Sequence, residues 1–583
     1  MEELYINGHR IYLSDRVISR TLQVNDFREV KDRQANYSSN IKIPRTPENI
    51  KTFEYLGVIG NTSTIAYNEI SVKYVLDGIE MVVGGKGVIK AVNEFYEFNF
   101  YDGNVSLSDL LGNKTLSSLD YTSYNHNLSF STFFASFTNT SGYVYGLDWD
   151  SNNDLNKTSP SFYIHTLFSM IFSQKGWTIS GSFFTNTDYL SRLTTMNLGF
   201  DQTLTPSLLN KYTQANADAH SQSDTTPFSI SYLVDSYTSL ADDIYKVGFS
   251  GNISVSLGTV ELDVRVNGVS KGIITDVLTS ITDSVNVYAE TSDIITVYAV
   301  ATSQEVTPTE HEVDFQENFT TLIDVDNSYY SIDFANIIGN TKQIDLVKDV
   351  MQRFNLSFRK TRNENNLEFI SSEVLLTSQA SAQNLTSKYS SKIGEVTKST
   401  YARQNEFKYL YDTSGNNYAN GYINLTDVNL METKTLVTSI FKASQRNNGV
   451  YSINLWERDG DVFTPIQDGL RIFKIATTDA VYKYRLKYGV GNYVEIDRSV
   501  ALLDFSNLSY QLEVDNNYPT FSSLLNKYKL VTMDLNLSIV DVYQLDFFKL
   551  KYFEQTGRFY YLNKVISFKN NKTTKCELIE IPI

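Results

Sequence analysis

The sequence predicts a mainly β, multidomain protein with two short helices and an inserted β-sandwich, and three observations support this prediction. The chain has 583 residues, which is more than one hydrophobic core usually organises. It contains 40 Tyr and 34 Phe but only 9 Pro and 7 Met, and aromatic side chains favour the half-buried surfaces of strands. Apolar and polar residues also alternate along much of the chain with the period of two that strands require.

The overall composition excludes several classes of protein for this chain. Hydrophobic residues at 42% and charged residues at 20% are typical of a folded globular chain. The formal net charge of -16 and the lack of any basic cluster argue against stable nucleic-acid binding. Cys576 is the only cysteine, which excludes an intrachain disulfide and a multi-cysteine metal site. The charged segment Met1–Arg10 and the lack of a long apolar run predict a soluble chain made in the cytosol, without stable membrane association.

The N-terminal region has the pattern of strands joined by tight turns. Leu4 and Ile6 alternate with polar residues, Asn7-Gly8 supplies a turn, and Ile11 and Leu13 resume the alternation. The further predicted elements are a strand over Ile41–Ile43 that ends at Pro44, a helix over Pro47–Leu56 closed by Gly57, strands over Ile70–Leu76, Met81–Val83, Val88–Val92 and Phe95–Tyr101, and turns at Asp77-Gly78 and Gly84-Gly85.

Two helices are predicted farther along the chain. In the first, Ser159 is expected to cap the helix, Pro160 to occupy its first turn, and Lys175 and Gly176 to close it. Its apolar stripe consists of Ile164, Leu167, Phe168, Ile171 and Phe172. The second helix is predicted from Lys342 to Phe354, with Ile344, Val347, Val350, Met351 and Phe354 on one side, and a hairpin over Leu356–Phe369 follows it.

The sequence suggests five regions. The segment Tyr245–Thr302 alternates with a period of two that starts and stops abruptly, so it is expected to be an inserted and excisable sandwich. The last hairpin is expected to pair Arg558–Phe568 with Thr573–Ile581. The predicted regions are an N-terminal β domain (1–155), a helix-containing connection (156–243), the inserted β-sandwich (244–303), a helix-plus-hairpin region (304–400) and a C-terminal β domain (401–583).

Motifs for chemistry are weak in this sequence. The five histidines, His9, His126, His165, His220 and His311, lie far apart and none forms a zinc-binding helix motif, so His165 is expected to be structural. The segment Gly84–Gly87 resembles a phosphate loop only superficially and is better explained as a hairpin turn between strands.

A calcium site is a further possibility that the sequence does not favour. Asp148, Asp150, Asn152 and Asp154 alternate as in the first half of a calcium loop, but Ser159 stands where a bidentate carboxylate is needed. A solvated loop is therefore expected. No catalytic, cofactor-binding or metal-ligating residue is predicted, and the chain is not expected to be an enzyme.

Several segments of the chain resemble tail hub and baseplate proteins of phages that infect gut Bacteroidetes, including the crAss-like phages. These segments occur in order along nearly the whole chain. They are Asp32–Asn49, the first helix with Gly176–Gly181 after it, Asp345–Phe369, Tyr401–Tyr409 and Phe559–Val565. The region Tyr245–Thr302 is less typical and is similar to a variable insertion.

The resemblance implies a structural subunit of a phage tail. It implies β-barrel or β-sandwich hub domains that form a ring of three or six copies around the DNA exit path, in contact with other tail proteins and located in the virion. DNA would be only passing cargo, and an acidic lumen would let it pass.

Two other classes of function stay open. A receptor- or carbohydrate-binding tail protein could use the inserted sandwich, with exposed aromatic rings stacking on sugars, although the chain has only 3 Trp. A cell-wall hydrolase would need a cleft with acid, base or zinc ligands, which the sequence does not indicate.

Overall fold

The computed structural model confirms the mainly β fold class, with several sheets and few helices. It describes residues 2–582 except 14–17, 23–36, 39–40, 102–106, 129, 147–157, 201–207, 241–242, 276, 279–280, 327–329, 362–364, 398–399, 448–449, 452, 454, 460–461, 488–492 and 571. The predicted solvated loop at 148–159 therefore lies almost entirely outside the described residues. Within the described part of the chain, no helix is long and apolar enough to span a membrane.

The N-terminal strands form one part of a 14-stranded sheet. The predicted first hairpin is confirmed, with Asn7 and Gly8 at the positive φ angles of 47° and 80° that its tight turn requires. The predicted turn at Asp77-Gly78 is confirmed in the same way, with φ angles of 47° and 82°. The elements are β1 (Glu2–Ile6), β2 (His9–Ile11), β3 (Arg20–Leu22), β4 (Tyr37–Ser38), β5 (Ile41–Pro44), α1 (Pro47–Thr52), β6 (Ile70–Leu76), β7 (Ile79–Val92) and β8 (Phe95–Tyr101).

The predicted turn at Gly84-Gly85 is wrong, because β7 runs unbroken through this segment. Gly85 lies opposite Val72 and Val82 lies opposite Tyr74, so the strand contains an extra residue and forms a β-bulge. Gly84 has φ +62°, and a Cβ on Gly87 would approach the Phe98 ring within 2.2 Å. The glycines thus permit a bulge and close packing in one long strand.

The helix α1 is also shorter than predicted and ends at Thr52.

The next region contains short helices and strands. Its elements are α2 (Leu107–Leu111), β9 (His126–Leu128), α3 (Phe130–Ala135), β10 (Tyr143–Val144), β11 (Ser161–Tyr163), α4 (Ile164–Ser173), β12 (Thr178–Ser180), α5 (Thr187–Leu190) and β13 (Arg192–Thr195). The predicted apolar stripe on α4 is confirmed as buried. The predicted start of this helix at Ser159 and Pro160 is wrong, because β11 pairs with β10 and β13 and holds the chain extended as far as Tyr163.

The two sheets of a sandwich follow. One sheet has the order β14-β23-β17-β20, with β15 and β22 also on β23, and the other has the order β16-β21-β18-β19. The strands are β14 (Leu208–Asn216), β15 (Ala219–Asp224), β16 (Ser229–Thr238), β17 (Asp243–Leu257), β18 (Thr259–Val266), β19 (Val269–Ile274), β20 (Ser284–Ala289), β21 (Ile294–Thr302), β22 (Gln304–Thr307) and β23 (Glu310–Asp326). We call residues 208–326 the sandwich.

The predicted limits of this insertion, 244–303, fall inside the strand ladders. β17 pairs along most of its length with β23, which lies after the predicted end. β23 also pairs with β14, which lies before the predicted start. The alternating pattern of the sequence marks only the middle strands of the sandwich, because pairing between distant strands leaves no local signal.

The predicted second helix and its hairpin are confirmed as α7, β25 and β26. β26 also pairs in parallel with β12, which ties the hairpin to the segment after α4. The elements of this region are β24 (Tyr330–Ile332), α6 (Phe334–Ile337), α7 (Gln343–Arg353), β25 (Leu356–Lys360), β26 (Asn366–Ser371), α8 (Ser372–Thr377), β27 (Gln383–Asn384) and β28 (Tyr389–Val396).

The described residues of the C-terminal region supply strands to several sheets and form three α-helices. Its elements are β29 (Gln404–Leu410), β30 (Gly421–Asn424), β31 (Thr433–Lys442), β32 (Arg446–Asn447), β33 (Val450–Tyr451), β34 (Trp456–Asp459), β35 (Val462–Pro465), β36 (Ile472–Lys487), β37 (Tyr493–Asp504), α9 (Tyr510–Asn517), α10 (Pro519–Asn526), β38 (Leu530–Leu535), α11 (Ile539–Tyr543), β39 (Lys551–Phe553), β40 (Arg558–Phe568) and β41 (Thr574–Glu580). The predicted last hairpin is confirmed as β40 and β41.

The two ends of the chain meet in the large sheet. Its order is β2-β1-β6-β7-β8-β4-β3-β40-β41-β38-β28, so β3 near the N-terminus pairs with β40 near the C-terminus. The described residues bury three apolar clusters: one beneath this sheet, one inside the sandwich, and a central core around α4, α7, α9 and α10. Apart from Ile244, the buried residues of the central core come from two stretches of the chain, Leu107 to Phe200 and Ile332 to Ile581.

Candidate functional site

The histidines do not converge on a common site. His165 lies on α4 with Nε2 3.0 Å from the carbonyl oxygen of Thr140, and burial lowers the pKa of its ring. His126 has its ring nitrogens near the Tyr124 carbonyl and the Tyr145 hydroxyl, at 2.9 and 2.8 Å. Among the described residues, no group of three or more His, Cys, Asp or Glu side chains is placed to hold a metal ion.

The most unusual arrangement of charged side chains is a buried cluster centred on Arg353. We call it the Arg353 cluster. Its members come from α7, β13, β29, β31 and α9 and are almost fully buried. They are Arg192, Asp349, Arg353, Tyr409, Ser439, Tyr510 and Glu513.

The guanidinium of Arg353 donates hydrogen bonds in three directions. Nε donates to Asp349 Oδ1 at 2.6 Å, Nη1 donates to the Tyr409 hydroxyl at 2.6 Å, and Nη2 donates to Ser439 Oγ at 2.8 Å. Its Cζ also lies 4.5 Å from the centroid of the Tyr510 ring, within cation–π range. The planar fork of arginine suits this arrangement, whereas lysine has only a single charged nitrogen.

The carboxylate of Asp349 links α7 to β31. Its Oδ2 accepts hydrogen bonds from Ser439 Oγ at 2.6 Å and from the Ile440 amide at 3.0 Å. Asp349 and Arg353 are four residues apart on α7, so they lie on one face of the helix and form an ion pair within it. The helix thereby presents a pre-oriented charged pair to β31.

A second arginine extends the cluster toward the base of β36. Arg192 forms a two-point ion pair with Glu513 of α9, in which Nη2 donates to Oε2 at 3.1 Å. Arg192 also donates to Asp188, which in turn accepts a hydrogen bond from Lys474 of β36. Glu513 lies 3.7 Å from Arg353 as well, so it contacts both guanidiniums.

The charges inside the cluster compensate one another. Burial by itself opposes the charged form of Arg353, but the combined attraction of Asp349, Tyr409, Tyr510 and Glu513 outweighs it and holds the pKa well above its ordinary value. Burial raises the pKa of Tyr409, which keeps its hydroxyl neutral as a donor to the Leu508 carbonyl at 2.6 Å. The side chains are shut away from solvent, so the cluster is suited to joining segments and not to meeting a substrate.

A surface groove of about 390 Å³ lies outside this cluster, between α7 and β31. The helix contributes the half-buried Asp345, Lys348 and Gln352, and the strand contributes Leu436 and Thr438. The groove reaches Asp349, but that carboxylate is already held by Arg353, Ser439 and the Ile440 amide.

Two further buried charged side chains, Arg471 and Lys551, hold neighbouring segments of the chain together. Arg471, at the base of β36, donates to Asp468 at 2.9 Å, to Asp412 at 2.7 Å and to the Ala443 carbonyl at 3.0 Å. Lys551 is fully buried, and its ammonium nitrogen lies 2.5–2.8 Å from three acceptor oxygens, which belong to the Gln383 side chain and the carbonyls of Asp546 and Lys549. Burial lowers the pKa of Lys551 to about 7.

The sequence patterns did not single out the Arg353 cluster. One signal was available, because Asp349 and Arg353 carry opposite charges at a spacing of four, which places them together on the side of the second helix away from its predicted apolar face. Nothing local could have identified Glu513 or Arg192 as partners, since these two residues are 321 positions apart.

Comparisons with known proteins show only distant likeness. No protein-family model and no curated protein matches the chain. A solved structure of the prophage MuSo2 43 kDa tail protein from Shewanella oneidensis aligns with 100% of this chain and 98% of that chain, at 7% identity and a TM-score of 0.33. A structure of infectious bursal disease virus, Gx strain, covers 56% of this chain and 55% of that chain, at 9% identity and a TM-score of 0.16. Both TM-scores are too low to establish a shared fold.

Proposed function

We propose that this chain is a structural subunit of a bacteriophage tail, a hub or baseplate component that forms a ring around the DNA exit path in the virion. Three of the five segments that resemble such proteins are distant in sequence yet contribute to the central core. They are α4 with the strand after it, Asp345–Phe369, and Tyr401–Tyr409. This convergence is the observation that carries the proposal, because it means that the resembling segments form one structural unit.

The Arg353 cluster gives this unit a physical basis. Arg353 comes from the segment Asp345–Phe369, and its hydrogen-bond partner Tyr409 ends the segment Tyr401–Tyr409. The resemblance therefore includes both sides of a buried contact. A tail subunit carries mechanical load, and a frame cross-linked by buried ion pairs suits that role because breaking one pair leaves a buried charge.

The remaining resembling segments belong to the large sheet. Phe559–Val565 lies within β40, and β40 pairs with β3. Only part of Asp32–Asn49 is described, and its described residues include β4 and β5 of the same sheet. The acidic net charge of -16 is compatible with a wall past which DNA slides.

The proposal includes assembly into a closed ring of three or six copies that contact other tail proteins, and it excludes catalysis by this chain. Electron microscopy of purified tails, with mass spectrometry of their components, tests both the location and the copy number. A chain that is absent from tails, or that lies as a single fibre away from the tail axis, would refute the hub role. Cell-wall hydrolysis by the purified chain would refute the proposal that it is not an enzyme.

The alternative of glycan binding by the sandwich gains little support from its surface. The large apolar side chains exposed on its described residues are aliphatic. They are Leu233, Leu240, Val269, Ile273, Leu278, Ile294 and Val306. Sugar rings stack on aromatic faces, so this surface does not favour a carbohydrate site. Binding of the purified sandwich region to a host-surface glycan array would revive the alternative.

A further inference from the structure

A lysine and a glutamine side chain meet in the large sheet, at a place that the proposed function does not use. β27 and β39 run parallel, and Gln383 lies directly opposite Lys551 in their register. The backbone amide of Gln383 donates to the Leu550 carbonyl at 2.8 Å, which holds the two strands together. Residues opposite each other on neighbouring strands project to the same face of a sheet. Lys551 Nζ accordingly lies 2.6 Å from Gln383 Oε1.

The Lys551 side chain has no carboxylate partner among the described residues. It is fully buried, and its acceptors are the side-chain oxygen of Gln383 and the carbonyls of Asp546 and Lys549, all uncharged. The Asp546 carboxylate instead binds Arg359 at 2.6 Å. Buried lysines are ordinarily paired with an opposite charge. Without such a partner, burial favours the neutral amine and lowers the pKa of Lys551 to about 7.

The neutral form of Lys551 presents its lone pair to the Gln383 side chain. A neutral amine has two N–H bonds and one lone pair, whereas the ammonium ion has three N–H bonds. The Asp546 and Lys549 carbonyls can only accept hydrogen bonds, so they face the two N–H bonds. The lone pair therefore faces the Gln383 amide. Desolvated lysine amines are nucleophiles toward carbonyl carbons, and fixed contact between two groups greatly raises their effective concentration.

The surroundings of the Gln383 amide suit attack at its carbonyl carbon, Cδ. The backbone amide of Asp546 donates to Gln383 Oε1 at 3.4 Å, where negative charge develops during the attack. Gln383 Nε2, the leaving nitrogen, donates to the Gln544 carbonyl at 3.3 Å. The Gln383 side chain is only half-buried, so released ammonia can reach the solvent. The site thus holds a nucleophile, a polarised carbonyl and a leaving group in contact.

We propose that Lys551 and Gln383 form a side-chain amide bond in the folded chain, with release of ammonia. Lys551 Nζ bonds to Gln383 Cδ, one proton passes from Nζ to Nε2, and the Cδ–Nε2 bond breaks. The products are one secondary amide and one ammonia, so the reaction needs no oxidant, reductant or co-reactant. The bond joins residues 168 positions apart and ties β27 covalently to the large sheet. The amine titrates only in chains that have not yet reacted.

Mass spectrometry of the purified full-length chain tests the proposal, and its result does not depend on the tail function. The folded chain is incubated at pH 8 and digested with a protease. We expect a peptide that joins positions 383 and 551, lighter than its two parts by one ammonia, to accumulate with time. Fragmentation of this peptide locates the bond, which a loss of ammonia elsewhere in the chain does not reproduce. Absence of the joined peptide after prolonged incubation would overturn the proposal.

The dependence on pH and on folding shows whether this site drives the reaction. At pH 5 most of the Lys551 amine is protonated, so the joined peptide should form at least about tenfold more slowly than at pH 8. A chain unfolded in guanidinium should form none, because the two side chains are no longer held together. Equal rates in the folded and unfolded chains would contradict a reaction that the fold promotes.

A matched pair and a substitution complete the test. Lys342 Nζ donates to Asn113 Oδ1 at 3.3 Å, but this pair is exposed, and we expect no joined peptide from it. A joined peptide at that pair in similar yield would show that burial of the lysine is not the cause. Gln383→Met removes the carbonyl carbon at a half-buried position and should prevent the bond. In denaturing electrophoresis the native chain, closed into a loop, should migrate faster than Gln383→Met, and equal migration would count against the bond.

Discussion

The sandwich and the central core are both well packed, but they are assembled from different kinds of contact. Most strand pairs of the sandwich join residues within 208–326, and its core is a set of apolar side chains that alternate along those strands. The central core joins α4, α7, α9 and β29, and the ion pair of Arg192 with Glu513 spans 321 positions of the chain. Local alternation thus indicates the middle strands of the sandwich, whereas the central core depends on partners that are far apart in the chain.

The difference between the two regions has an energetic consequence. Apolar contacts in the sandwich can be weakened one at a time, because each truncation loses the burial of one side chain and leaves one local cavity. The charges of the Arg353 cluster depend on one another, since removing one partner leaves another charge buried without compensation. We therefore expect the two regions to respond differently to substitutions of similar size.

Excision of sandwich segments should have the largest effect. Replacing 245–302 by a short Gly-Ser linker removes most of β17, the main partner of β23 in its ladder, and leaves the long edge of β23 exposed. We expect that variant to aggregate. Replacing 208–326 instead removes both sheets together and should leave a soluble, folded remainder, measured by size-exclusion chromatography and circular dichroism. If the shorter deletion is soluble and the longer one aggregates, 208–326 is not the unit that can be removed.

A charged residue introduced into each apolar core should show a further difference in stability between the two regions. Leu167 of α4 is fully buried in the central core, and Leu262 is fully buried in the sandwich. An isolated aspartate at either position should cost roughly 4 kcal/mol or more. We expect Leu167→Asp to destabilise the whole chain and Leu262→Asp to unfold the sandwich alone. Limited proteolysis followed by mass spectrometry reports which region is cleaved, and an unchanged melting temperature for Leu167→Asp would contradict the prediction.

Removal of the central arginine should have the next largest effect. Arg353→Met keeps much of the side-chain volume but leaves Asp349 uncompensated in the interior, so we expect a loss of about 3–5 kcal/mol in the free energy of unfolding. The control is Arg10→Met in β2 of the large sheet, where Arg10 pairs with Glu3 at 3.1 Å and keeps 57% of its side chain exposed. That change should cost about 1 kcal/mol or less. If the two substitutions lower the free energy of unfolding in urea by the same amount, the burial of the Arg353 cluster does not increase the effect of removing its arginine.

The smallest expected effect is a pH dependence at Lys551, which lies in the large sheet outside both regions. Burial lowers the pKa of folded Lys551 to about 7, whereas the unfolded side chain titrates near its usual value of about 10.4. Between these values the unfolded chain binds more protons, so stability contributed by this residue rises with pH and falls as pH drops toward 7. The slope is at most about 1.4 kcal/mol per pH unit, because a single group accounts for at most one proton.

Comparison with Lys551→Met isolates this effect from other titrating groups. The difference in unfolding free energy between the native chain and the variant should increase from pH 7.5 to 9.5, as measured by urea unfolding. A difference that is flat across this interval would mean that Lys551 stays protonated in the folded chain.

The sequence by itself determined the fold class and many of the local elements. The alternation of apolar residues predicted β1, β2, β25, β26, β40 and β41, because strand periodicity depends only on neighbours in the chain. The apolar stripes of α4 and α7 were predictable for the same reason. The glycines of β7 were misread, since glycine serves a turn and a bulge equally well and only pairing with β6 and β8 distinguishes them.

Only the tertiary structure decided which distant segments meet. It joined β3 to β40 across nearly the whole chain, extended the sandwich beyond its alternating middle, and brought Arg192, Arg353 and Glu513 together. It also showed that residues 54–68 leave their apolar side chains at the surface, although the composition of this segment fits a buried one equally well. Pairing and burial between distant residues depend on the whole packed arrangement, so no local pattern in the sequence can specify them.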